Sequence, residues 1–155
     1  YCTSIALCTI SSQKYSPYRS MSAPIDTKKL GKQAEDLVCH YLQKQKLKLV
    51  TRNYSCRYGE IDLIMHDKTS LVFVEVRYRQ NPYFGSGLET INLTKQNKVI
   101  KTAEYYLLTH HLSEKTACRF DVVGVKPSSQ DLRQAVSISK LSRAQVEWVK
   151  NAFSR

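Results

Sequence analysis

Apolar residues change their spacing along the chain, and each change marks an element. Between residues 28 and 46, Leu30, Ala34, Leu37, Val38, Tyr41 and Leu42 fall on one stripe at 100° per residue. That is the signature of an amphipathic helix, with Asp26 or Thr27 placed to cap it. Glu35 lies at the margin of the stripe and Asp36 opposite it, where a solvated charge is expected. Three runs rich in β-branched and aromatic residues follow, at 47–54, 60–66 and 71–78, and read as strands. Asp67-Lys68-Thr69-Ser70 supplies a turn between the second and third. A connector from Gln80 to about Leu93, with Pro82, Gly85 and Gly87, leads to a helix near 94–110. Its inner stripe is Val99, Ile100, Ala103, Tyr106 and Leu107, and Lys95, Lys98 and Lys101 lie on the other side. Residues 119–125 form another strand, Lys126-Pro127-Ser128-Ser129 breaks the chain, and 135–140 suit a short strand. Ser142-Arg143-Ala144-Gln145 has capping-box spacing and predicts a last helix through Trp148, Val149, Ala152 and Phe153. The order α-β-β-β-α-β-(β)-α, with a helix crossing between the third and fourth strands, favours a mixed sheet with helices on its faces.

Acids interrupt two of these apolar strands. Alternation puts Glu60, Asp62, Ile64 and His66 on one face and Ile61, Leu63 and Met65 on the other, and places Glu75 with Leu71, Phe73, Arg77 and Arg79. A carboxylate so placed costs several kcal/mol unless it is paired or bound to a cation. One reading makes Asp62 and Glu75 oxygen ligands of Mg²⁺ or Mn²⁺, with the Val76 carbonyl as a third and water completing the shell. The other has them neutralise Arg57, Arg77 or Arg79. Asp121, inside the apolar strand at 119–125, reads as a structural acid pairing with Arg119 or a neighbour.

With 155 residues, 42% of them hydrophobic, the chain is long enough to bury the core of one ordinary domain. Met21 precedes the first helix, so residues 1–20 are expected to be a disordered extension and 21–155 a single domain. The formal charge of +11 falls only to +9 without that extension, which suggests a polyanionic partner. No stretch approaches the roughly 20 apolar residues of a membrane span, and the first ten residues lack the basic start of a secretion signal. Five cysteines without a CxxC pair argue against a disulfide framework and a thiolate zinc site and fit reduced, cytoplasmic thiols. The histidines lack the spacing of a helical zinc pair.

Longer strings carry a resemblance. Gly31, Ala34-Glu35, Arg52-Asn53, Gly59-Glu60-Ile61-Asp62-Leu63-Ile64, Val72-Phe73-Val74-Glu75-Val76-Arg77, Lys95, Arg119-Phe120-Asp121-Val122-Val123 and Trp148 with Asn151-Ala152-Phe153 resemble the YraN-like family of bacterial proteins. The likeness spans about residues 28–153. That family is similar to the PD-(D/E)XK restriction-endonuclease-like superfamily, and within it to archaeal Holliday-junction resolvases. The resemblance implies an α/β fold with an αβββαβ core, a mixed central sheet flanked by helices. Carried across, Glu35 matches the helical Glu, Asp62 the first metal-binding Asp and Glu75 the acid of the E-x-K element. Arg77 departs from the pattern, standing where a catalytic Lys is usual. Arginine stays protonated, so it supplies charge and donors but no proton transfer. Lys95 is a candidate substitute. Resolvase-like enzymes often act as dimers, so the resemblance also implies a homodimer.

Basic and aromatic residues interleave near these acids: Arg52, Tyr54, Arg57 and Tyr58 on one side, and Arg77, Tyr78, Arg79, Tyr83 and Phe84 on the other. With Lys95 they suit a groove that neutralises phosphates and stacks bases, although Tyr is also an ordinary strand residue. The expected partner is nucleic acid, DNA before RNA, and no membrane. Two functions fit: a Mg²⁺- or Mn²⁺-dependent endonuclease of structured or branched DNA, or a catalytically inactive nucleic-acid-binding or protein-interaction module.

Overall fold

The structure, a computed structural model, describes residues 27–78, 91–112, 116–126 and 145–154. Helix α1 (Thr27–Lys44) is followed by three antiparallel strands, β1 (Lys48–Cys56), β2 (Gly59–Asp67) and β3 (Ser70–Tyr78). Helix α2 (Leu93–Thr109) crosses to β4 (Cys118–Lys126), which lies parallel to β3, and β5 (Gln145–Phe153) runs antiparallel to β4. The sheet order is β1-β2-β3-β4-β5. This is a mixed sheet with one helix on each face, an α/β fold whose αβββαβ order is that of a restriction-endonuclease-like core.

Each helix buries the stripe that its sequence period defines. Ala34, Val38, Cys39 and Leu42 of α1 pack on Leu63, Met65, Val72, Val74, Val123 and Val125. On the opposite face, Val99, Ala103, Tyr106 and Leu107 of α2 pack on Ile61, Ile64, Leu71, Phe73 and Phe120. Helix α1 ends in a Schellman turn, where Leu47 N–H donates to the Leu42 carbonyl and Lys46 N–H to that of Gln43. The turn places Lys46 at φ 71°, and buried Leu47 closes it.

Strict alternation fails at one point in β2. Ile61 packs with Ile64 on the α2 side, whereas Leu63 and Met65 face α1, so Ile61 does not share a face with Leu63 and Met65 as expected. The pairs Arg52↔Leu63 and Tyr54↔Ile61 put Asn53 opposite Asp62. Asn53 adopts φ 50°, a left-handed conformation that Asn tolerates better than most residues. Both strands therefore kink together at the position that carries the acid.

The predicted last helix is a strand. The pairing of β4 with β5 shifts by two residues between Phe120↔Phe153 and Val122↔Val149, with Asn151 at φ 51° inside the irregularity. That bulge breaks the period of two, and the apolar positions on either side of it mimic a helical spacing. Val146, Trp148 and Val149 are β-formers in their own right. Buried Asp121 holds the bulge, accepting from Asn151 N–H at 2.9 Å, from Trp148 Nε1 at 3.0 Å and from Arg119 Nε at 3.1 Å. Arg119 Nη1 also reaches Asp67 at 2.8 Å, so the structural reading of Asp121 holds. Cys39 and Cys56 are free thiols. No helix among the described residues is long and apolar enough to cross a membrane. The expected extension at 1–20, the strand at 135–140 and most of the 80–93 connector lie outside the described residues.

Candidate metal and nucleic-acid site

The β2–β3 ladder pairs Leu63 with Val74 and goes no further toward Asp62. Beyond that point the Asp62 side chain takes over, its Oδ2 accepting from Val76 N–H at 2.7 Å. Leu71 N–H bonds to the Ala117 carbonyl on the β4 side, so alternate amides of β3, Val76 among them, face β2. In an extended strand a residue's N–H and C=O leave on the same side. The Val76 carbonyl therefore faces the Asp62 side as well.

Glu75 points to the α2 face and is buried. Its Oε1 lies 3.2 Å from Lys95 Nζ and 3.5 Å from Arg77 Nε, while its Oε2 is buried without a hydrogen-bond partner. Burial, reinforced by the Asp62 charge, pushes the Glu75 carboxyl up to about 7 against the pull of Lys95 and Arg77. Asp62 is raised as well, chiefly by burial and less by Glu60, and is opposed by the Val76 amide, Lys95 and Arg77. On the α1 side Glu35 is raised by burial and by Asp62, with a hydrogen bond from Asn53 favouring its charged form. Three carboxyls thus approach the sheet break from three elements, and each is harder to ionise than an ordinary acid. Of these, the interacting Asp62–Glu75 pair with its bare buried Glu75 oxygen has the donor chemistry that a hard cation prefers. Asp62 and Glu75, with the Val76 carbonyl, would hold Mg²⁺ or Mn²⁺ and leave several positions to water. Among the described residues, no three or more Asp, Glu, His or Cys side chains group closely enough to hold a metal ion, so any such site would rest on the Asp62–Glu75 pair.

Lys95 reaches this site from an unfavourable place. Asn92 caps α2, its Oδ1 accepting from Lys95 N–H at 2.9 Å, so Lys95 occupies the third helical position. A cation there opposes the helix dipole by about 0.3–1 kcal/mol, where a capping box would use Glu. Its ion pair with Glu75 offsets that cost. Arg77, at the position of the usual Lys, lies slightly farther from the same oxygen.

The remaining basic residues divide between two surfaces. Arg52 pairs with Asp36 on α1, so Asp36 is ion-paired rather than merely solvated. Arg57 and Tyr58 form the β1–β2 turn beside α2, near Lys101 and Tyr105. The expected grouping of Arg52 with Arg57 and Tyr58 on one side is therefore not what the fold makes. Arg79 lies outside the described residues. Two contributors escaped the sequence reading, Asn53 and Tyr105. An Asn amid strand formers signals a left-handed kink, but nothing local marks Tyr105.

The fold is that of an α/β protein with a restriction-endonuclease-like core, and Asp62 and Glu75 lie at a break in its central sheet. The chain belongs to the uncharacterised protein family UPF0102, whose model matches residues 34–125. It is 44% identical over 123 residues to a UPF0102 protein of Nitrosococcus oceani, covering 79% of this chain and 90% of that one. It is 43% identical over 127 residues to one of Coxiella burnetii, covering 82% and 93%. A Legionella pneumophila relative is 41% identical over 127 residues, covering 82% and 96%.

Proposed function

We propose that this chain binds nucleic acid and hydrolyses phosphodiesters in structured or branched DNA at the Asp62–Glu75 centre, with Mg²⁺ or Mn²⁺. The observation that carries this reading is the buried, unpartnered Oε2 of Glu75, whose carboxyl interacts electrostatically with Asp62, with Lys95 drawn against the same carboxylate. A bound divalent ion would supply Lewis-acid stabilisation and an acidified water. Around it, Asp62 keeps Val76 in place through the amide, and Glu35 lies behind as a positioning acid held by Asn53. Lys95 takes the role of the missing E-x-K lysine, orienting the attacking water and assisting its proton transfer. Arg77 is confined to charge, stabilising the negative oxygens that develop as water attacks phosphorus and the P–O bond to the leaving group breaks. Lys98, Lys101 and Arg57 extend a cationic track away from the centre for neighbouring phosphates.

A second reading has its own support: Lys95 and Arg77 already neutralise Glu75 Oε1, as they would in a binding module without turnover. Incubation of branched, single-stranded and duplex DNA with either metal separates the two. An endonuclease gives metal-dependent cleavage that Glu75→Ala abolishes and Lys95→Ala lowers by about 100-fold or more, within the usual range for an acid–base group. Absence of cleavage, or cleavage that survives Glu75→Ala, rejects the enzyme. Salt-sensitive binding without cleavage in the wild type, with cleavage gained by Arg77→Lys, would instead identify the module and a missing base.

A further inference from the structure

The β1–β2 turn lies against the outer flank of α2 and builds a second feature there. Gly59, at φ +153°, lets the turn approach closely, since a Cβ at that position would meet Thr102 Oγ1 at 3.2 Å. Side chains at the tip contact one another and Tyr105 of α2. Arg57 lies 4.8 Å from the Tyr58 ring centre and 5.6 Å from that of Tyr105, and its Nη2 donates to the Tyr58 hydroxyl at 2.7 Å. The two rings meet nearly edge to face, 5.7 Å apart. With Lys101, Glu104 and Leu108 they line a cavity of about 440 Å³. Leu108 is 72% exposed, an apolar side chain left open to solvent at the cavity wall.

The lining selects among polyanion parts. Two phenol rings, a guanidinium plane and a leucine suit a flat aromatic ligand. Glu104 repels a phosphate from the interior and accepts hydrogen bonds from an exocyclic amine, as carboxylates do with bases. Lys101 leaves one cation for a phosphate attached to that ligand. We propose that Arg57, Tyr58 and Tyr105 form a stacking subsite for one unpaired nucleobase, set apart from the acidic centre on the same strand path. This rests on the nucleic-acid reading above and narrows it, because a base inside a duplex has no free face to offer. Ten residues of α2 separate Lys95 from Tyr105, roughly 15 Å of helix axis. That corresponds to about four nucleotides at the 3.4 Å rise of a DNA strand.

The test uses the full chain and two probes of equal length, a fully paired DNA duplex and the same duplex with a short single-stranded gap. Fluorescence anisotropy should give the gapped form about ten-fold tighter, since stacking one base is worth roughly that factor. Tyr105→Leu should bring the ratio close to one while leaving duplex affinity nearly unchanged. Tyr105→Trp, which restores a stacking face, should keep the preference. Tyr58→Leu serves as a second variant on the opposite side of the cradle, and each variant's thermal transition checks its fold. A gap preference that survives both leucine variants overturns the subsite, as does a wild type that binds both probes equally. In either case salt-sensitive binding would still support the parent reading. A wild type that binds no nucleic acid in any form overturns both.

Discussion

A buried carboxyl raised to about 7 makes position 75 a measurable load on the fold. Between its ordinary value of 4.5 and about 7, an unfolded chain has lost a proton that the folded chain still holds. Folding stability therefore falls as pH rises through that window, and the loss is complete above it. Equilibrium denaturation of the metal-free protein should show a decline of about 3 kcal/mol assignable to this residue. Glu75→Gln should flatten the decline and be the more stable form at pH 8, and Mg²⁺ or Mn²⁺ should oppose it in the wild type only. A Glu75→Gln chain with an unchanged pH slope would place the titration elsewhere. The identity of this residue was legible because an acid inside Val-Phe-Val-Glu-Val-Arg has no cheap structural excuse. The convergence of Lys95 was much less so, since the approach of α2 to β3 depends on the crossover and leaves no local mark in the sequence. Asn53 was hidden for another reason: its role comes from a paired kink, and strict alternation assumes there is none.

At the scale of elements, sequence pattern recovered both helices because each buries one stripe against the sheet. It recovered the first four strands because they are short runs rich in apolar and β-branched residues, buried on both faces in β3 and β4. It failed at β5, where the bulge held by Asp121 shifts the apolar positions by two residues and a strand takes on a helical spacing. Cap chemistry was ambiguous for a similar reason, since Ser-Arg-Ala-Gln fits a box motif wherever it falls. The end of α1 yields a sharper expectation. Lys46 occupies the left-handed position of the Schellman turn, at φ 71°, where a side chain costs about 1 kcal/mol relative to Gly. Lys46 is exposed, so its removal takes nothing from the core. Lys46→Gly should raise stability by roughly 0.5–1 kcal/mol, reduced somewhat by the greater freedom of Gly in the unfolded chain. Chemical denaturation with an unchanged m-value would check it, and a loss of stability would mean that the turn is not held as described.

Over the whole molecule, a charge of +11 says only that a polyanion is welcome, whereas the fold decides which cations can meet one. Arg52 is spent on Asp36, and Arg119 on Asp67 and Asp121, so neither adds to a phosphate track. Lys98 and Lys101 are exposed along α2, with Arg57 at its flank, and Lys95 and Arg77 stand at the acidic centre. Lys95 and Arg77 share Glu75, so the three cations of this path without an acidic partner among the described residues, Lys98, Lys101 and Arg57, predict a slope of log affinity against log salt of about −2.7 for duplex DNA. Raising monovalent salt from 50 to 200 mM should then weaken binding by roughly 40-fold. Lys98→Ala and Lys101→Ala should each reduce the slope by about 0.9, whereas Arg52→Ala should leave it nearly unchanged because its charge is already matched. Lys95→Ala should have a smaller effect than Lys98→Ala in the absence of metal, since Glu75 shares its charge. A slope that responds to Arg52 but not to Lys98 and Lys101 would move the track to the α1 face. The groove of about 630 Å³ lined by Lys28, Lys29, Gly31, Lys32, Glu35 and Asn53 would then be its course.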